Sequence, residues 1–205
     1  MLSDLDQNMH QLCIDGKVQR GTAKGGKRKS GLCVVSAWVS EHRLVLGQER
    51  VEQKSNEKTA IPQLLGSLDL KGSLVSIDPI ACQVSNADLI VERQGHYLLA
   101  LKKNNKAAHE QVSERMQAKK ASLSSFEHVD FGSGRIERRR CYVERDLALH
   151  DGLAGWEHLC SIVMVEASRE IGEKTSTETR CYLSDLELGP QEFNHLVRGH
   201  WLQAF

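Results

Sequence analysis

LCIDGK at residues 12–17 and LVSIDP at residues 74–79 each run through apolar residues and stop on an aspartate, Asp15 and Asp78. Short apolar runs bounded by glycine or proline read as strands. Taken singly, each aspartate is a turn former beside Gly16 or Pro79. Taken together they suggest chemistry, because two carboxylates at neighbouring strand ends repel unless a cation lies between them. Magnesium suits such a place: it prefers oxygen ligands, takes few protein carboxylates and fills its shell with water and phosphate.

Working outward, residues 11–15 form a first strand and residues 17–30 a glycine- and lysine-rich loop. GLCVVSAWV (31–39) and RLVLGQERV (43–51) are two further strands around a turn at Ser40-Glu41-His42. Residues 55–68 carry Ile61, Leu64, Leu65 and Leu68 at helical spacing, with Ser55 placed to cap the start. A strand at 73–78, a helix at 84–93 ended by Gly95, a strand at 96–101 (HYLLAL) and a helix at 107–120 follow. From Phe126 the pattern turns to strands, at 126–131, 135–144, 159–165 and 178–183. Gly189-Pro190 then opens a last helix toward Trp201. Three strands followed by alternating helix and strand predict an α/β fold with a mixed sheet flanked by helices. The 205 residues suit one domain, 1–205.

Charge narrows the partners. The 27 basic and 27 acidic residues cancel, so a nucleic-acid signal must come from local patches. One patch is Lys17, Arg20, Lys24, Lys27, Arg28 and Lys29, within thirteen residues that hold no acid and beside glycines 16, 21, 25 and 26. It reads either as a solvated loop or as a flap that holds phosphates without reading bases. A second patch is Lys102, Lys103 and Lys106. A third is Arg135, Arg138, Arg139 and Arg140, interleaved with Glu137. On a strand, Arg138 and Arg140 share one face, and Arg135, Glu137 and Arg139 the other.

Six cysteines without a C-x-x-C pair read as buried, reduced thiols. The first ten residues are polar, unlike a signal peptide, and no apolar run nears the ~20 residues a membrane helix needs. The expected location is the cytoplasm, with no membrane contact. No nucleotide loop, serine-hydrolase elbow or zinc-protease helix is present.

Longer blocks carry a resemblance. IDGKVQRG (14–21), VVSAWVSEHRLVLGQERVEQKSNEKTAIPQLL (34–65), LDLKGSLVSIDPIACQ (68–83), YLLALKKNNK (97–106), GRIERR (134–139) and LVRGHW (196–201) occur in this order. They resemble the bacterial insertion-sequence DDE transposases of the H-repeat-associated, ISAs-type group. The resemblance spans about residues 12–201. It implies a ribonuclease-H-like sheet whose first and fourth strands are neighbours, with a strand-rich insertion at about 126–185 before the last helix. Asp15 and Asp78 match the family's first two acids. By that analogy they hold two divalent ions, Mg2+ or Mn2+. One would activate water or a DNA 3′-hydroxyl and the other would stabilise the leaving oxygen. The implied DNA-binding residues are Lys17, Arg20, Lys24, Lys27, Arg28, Lys29, Lys102, Lys103, Arg135 and Arg138. The implied partner is DNA, both element terminal repeats and target. Self-assembly, or mixed assembly with an intact transposase, is a further expectation.

The chain departs from the family pattern at its end. Where the family reads HWGIEN, this chain reads His200-Trp201-Leu202-Gln203-Ala204-Phe205, so Ala204 stands at the third acid. Pro79, Ile80 and Ala81 replace the usual alanine, methionine and glycine, and Ser133 stands where histidine is common. The family's N-terminal helical segment and the end of its catalytic helix are absent from these 205 residues. The expectation is a truncated, impaired transposase core; the alternative is a noncatalytic DNA-binding or inhibitory remnant.

Overall fold

The computed structural model describes residues 9–18, 33–39, 44–51, 57–77, 79, 82–102, 105–132, 134–147 and 151–201. Nine strands form one sheet: β1 (Gln11–Val18), β2 (Cys33–Val39), β3 (Leu44–Val51), β4 (Leu74–Ile77), β5 (His96–Leu101), β6 (Ser124–Gly132), β7 (Arg135–Glu144), β8 (Ser161–Ile171) and β9 (Lys174–Ser184). Their spatial order is β3-β2-β1-β4-β5-β9-β8-β7-β6. β1 is antiparallel to β2 and parallel to β4, and β4 is parallel to β5. From β5 outward every pairing is antiparallel. β4 is buried along its whole length and β5 everywhere but at His96, as parallel pairing under helices requires.

Four α-helices cover the sheet among the described residues: α1 (Glu57–Ser67), α2 (Val84–Glu92), α3 (Lys106–Lys119) and α4 (Pro190–Trp201). Alternation along each strand separates two cores. Leu12, Ile14, Val75, Ile77 and Leu99 pack with Leu64 and Leu65 of α1, Ile90 of α2 and Met116 of α3. Leu74, Leu98, Cys141, Val163 and Tyr182 pack on the opposite face with Phe193, Leu196 and Val197 of α4. Three helices therefore cover one face and α4 the other. No disulfide joins the described cysteines, and burial pushes the thiols of Cys82 and Cys141 up to about 12.

Three expectations need correction. Strand β1 does not stop at Asp15: Gly16, Lys17 and Val18 continue to pair with Val35, Val34 and Cys33, because the antiparallel partner runs on beside them. Helix α2 ends through Gln94, which takes the left-handed conformation (φ 61°), not through Gly95. Gly95 serves close packing instead, since a Cβ there would lie 2.9 Å from the Leu70 carbonyl oxygen. Strands β8 and β9 are longer than their apolar cores. Their outer residues, from Glu166 to Ile171 and from Lys174 to Thr179, pair with each other and with β7 beyond the cover of the helices.

Candidate active site

The parallel pairing of β1 and β4 sets the geometry. Ile14 lies opposite Ile77, and Leu12 opposite Val75. Asp15 follows Ile14, is half-buried and lies opposite Ser36 of β2. Leu12 and Ile14 face the three-helix layer, so alternation turns Gln11, Cys13 and Asp15 toward the α4 face. Asp78 lies outside the described residues. In the sequence it follows Ile77, the last residue of β4.

A buried polar cluster lies between these strands and α4. Gln11 Nε2 donates to Ser76 Oγ at 3.0 Å and to the Leu196 carbonyl of α4 at 2.9 Å. Ser76 Oγ is 3.0 Å from His200 Nδ1 and 3.4 Å from Cys13 Sγ. A hydroxyl has one proton to give, so Ser76 serves either His200 or Cys13 while accepting from Gln11. Burial, reinforced by the positive charge of Arg180, lowers the pKa of His200 to about 4. The ring is therefore neutral at pH 7. This cluster fastens α4 across β1 and β4 on the sheet face that Asp15 shares.

The expected basic residues fall in several places. Lys17 lies on β1 opposite Val34. Arg20, Lys24, Lys27, Arg28, Lys29 and Lys103 lie outside the described residues. Lys102 is exposed just past β5, at the same end of the parallel strands as Asp15. Arg135 shares the α4 face with Glu137 and Arg139, because Cys141 and Val143 of the same strand pack in the α4 core. Arg138 lies on the opposite face, 3.8 Å from Glu170. Sequence reasoning missed Arg169, Arg198, Asp130, Gln11 and His200 as members of this surface. Strand parity was the signal for Arg169, while the neighbours of Arg198 and His200 depend on where α4 docks.

Among the described residues no three His, Cys, Asp or Glu side chains gather into a metal-binding group. On β1 the half-buried Asp15 contributes a carboxylate, a hard oxygen donor. No described helix is long and apolar enough to cross a membrane.

Comparison with known proteins bears on this geometry. The profile of the family described as "Transposase DDE domain" matches residues 5–202. A protein of Escherichia coli O157:H7 named "Putative transposase YncI" is 37% identical over 198 residues, covering 93% of this chain and 51% of its own length. The "H repeat-associated putative transposase YhhI" of Escherichia coli K12 is 31% identical over 200 residues, 93% of this chain and 52% of that protein. A Xanthobacter autotrophicus protein, "Uncharacterized protein in dhlA 3'region", is 39% identical over 89% of this chain and 62% of its own length. The chain thus spans about half to three-fifths of these relatives. A solved S-adenosylmethionine-dependent methyltransferase from Clostridium acetobutylicum matches with 8% identity and a TM-score of 0.22, over 68% of this chain and 50% of its own.

Proposed function

The chain belongs to the transposase DDE-domain family, and on that premise we propose that it is a ribonuclease-H-like transposase core for metal-dependent DNA cleavage and strand transfer. The register of β1 against β4 carries the reading. Ile14 and Ile77 are paired, and the next residue in each strand's sequence is an aspartate, Asp15 and Asp78. The order β3-β2-β1-β4-β5, with the first three strands antiparallel and the next two parallel to β1, supports the ribonuclease-H-like assignment. Strands β6–β9 would be the insertion, added to the sheet through β5. On this reading residues 1–205 are one domain.

Asp15 and Asp78 would hold the divalent ions, and their oxygen-only chemistry suits Mg2+ or Mn2+. Bound there, such ions supply Lewis-acid stabilisation of the charge that develops in phosphoryl transfer. The chain's own part is to fix Asp15 on a buried strand and to brace it with α4 through Gln11, Ser76 and His200. The basic residues Lys17, Arg20, Lys24, Lys27, Arg28, Lys29, Lys102, Lys103, Arg135 and Arg138 would hold DNA phosphates. Self-assembly, or assembly with an intact relative in the cytoplasm, belongs to the same proposal.

Ala204 at the third acid's position favours a second reading. Loss of one stabilising group at a reacting centre costs on the order of 10²–10³ in rate. The chain would then act chiefly as a noncatalytic or inhibitory DNA-binding remnant. A nicking and end-joining assay on DNA carrying the element's ends, with Mg2+ or Mn2+, separates the two. Slow, metal-dependent nicking that disappears in Asp15→Asn supports the impaired core. Binding without nicking supports the remnant. Nicking that survives Asp15→Asn refutes the site, and robust turnover refutes the impairment.

A further inference from the structure

The outer hairpins carry an ion network whose charges do not balance. Glu137 is 3.1 Å from Arg135 Nε, 3.6 Å from Arg169 Nε and 3.7 Å from Arg139 Nη1. Arg139 also bonds Asp130, which Arg198 of α4 reaches at 2.7 Å. Among the described residues this connected group has four guanidinium groups and two carboxylates, an excess of two positive charges. His128 stands 3.4 Å from both Asp130 and Arg139. The other face of the same strands is balanced one to one: Arg138 with Glu170, Arg140 with Glu127, Lys120 with Glu166.

Topology places this excess relative to Asp15. Leu101, the last residue of β5, lies opposite Cys181, while β9 begins at Lys174. Seven residues of β9 therefore extend past the parallel strands, about 23 Å at ~3.3 Å per residue. They extend past the C-terminal ends of β4 and β5, the end toward which Asp15 lies on β1. Arg135, Arg139 and Arg169 point from this arm to the α4 face, the face Asp15 shares. At its inner end the network borders a cavity of about 270 Å³ lined by Phe126, His128, Arg139, Asn194, His195 and Arg198. The Nε of Arg139, one of the lining residues, is buried and has no hydrogen-bond partner.

We propose that the α4 face of this arm, from Arg198 and Arg139 at the cavity to Arg135 and Arg169 near the hairpin tips, is a binding track for the phosphodiester backbone of duplex DNA. This rests on the proposed DNA-processing function and assigns the surface that holds the strand beyond the reacting bond. Arg135 and Arg139 are four residues apart on one strand, about 13 Å. One DNA strand carries about four phosphates over that length of helix axis, at one per 3.4 Å. Guanidinium groups suit phosphate because their paired N–H donors match its oxygens. The track contacts backbone only, so it positions DNA without selecting sequence.

The test is binding of a labelled duplex to the full chain by fluorescence anisotropy across a salt series. Arg169→Gln and Arg198→Gln should each weaken binding and each lower the slope of log affinity against log salt by about 1. Arg140→Gln, on the balanced face of the same arm and paired with Glu127, should change neither. Glu137→Gln should tighten binding and steepen the slope, an effect that misfolding does not mimic. A duplex that binds with the same slope in the three α4-face variants overturns the track while leaving the DNA reading intact. No duplex binding by the unaltered chain overturns the DNA reading and the track with it. Equal or tighter binding of polyglutamate points to an acidic protein partner and also overturns the track.

Discussion

His200 makes a pH-dependent contribution to stability whose size follows from its burial. The ring is 7% exposed, bonded to Ser76, and its pKa falls from 6.5 to about 4, first through desolvation and then through Arg180. In the unfolded chain the same ring takes a proton near pH 6.5; in the folded chain it resists until about 4. Between those values the unfolded state binds more protons, so stability falls as pH falls. The contribution is fully present above about pH 6.5 and is lost by about pH 4. At 1.36 kcal/mol per unit over about 2.5 units, the loss is about 3 kcal/mol, of which about 2 kcal/mol is gone by pH 5. The assay is urea unfolding of the unaltered chain and of His200→Gln at pH values from 4 to 8. Other groups titrate in both proteins and cancel in the difference. The stability advantage of the unaltered chain should shrink by about 3 kcal/mol from pH 7 to pH 4. Two parallel curves, offset by a constant, would mean that His200 only fills space, and would refute the reasoning. Arg180→Gln should move the midpoint of the loss toward pH 6.5.

Three further substitutions test packing and helix propensity. Phe193 is fully buried between α4 and the sheet, so Phe193→Ala should cost about 3–5 kcal/mol, read from the denaturation midpoint. Gly95→Ala should cost about 1–3 kcal/mol, because the new Cβ would lie 2.9 Å from the Leu70 carbonyl oxygen and 3.2 Å from Ile90. Gly66→Ala, near the end of α1 with nothing within 4 Å of the new Cβ, should instead raise stability by about 0.5–1 kcal/mol.

Periodicity made the elements legible and left their ends uncertain. The runs around Ile14 and Ile77 are apolar because β1 and β4 are covered on both faces, and that signal is local to the sequence. The ladder past Glu166 and before Arg180 is not local. Most of those residues are polar and none is buried, and they remain strands because they pair residue by residue across the hairpin. The same distinction runs through the site. Asp15 was visible because an aspartate ending an apolar run is conspicuous. Gln11 and His200 were invisible because their roles depend on α4 docking across β1 and β4. Strand parity put Arg135 and Arg138 on opposite faces, but only the fold shows that one joins a charge-rich network and the other has its own carboxylate. Ordered motif matches supplied the family, which no single spacing rule could have done.

Helix α4 touches both ends of this surface. Toward the centre its Leu196 carbonyl and His200 ring are tied to Gln11 and Ser76. Toward the arm Asn194 donates to the Arg139 carbonyl at 3.1 Å, and Arg198 bonds Asp130. A helix pinned at both places acts as a gauge block between Asp15 and the arginines. A DNA strand gripped at Arg198 would then present a bond to Asp15 at a spacing set by the helix, whatever its bases. Where such a protein cuts would be measured out from its grip, in the way a jig fixes a drill.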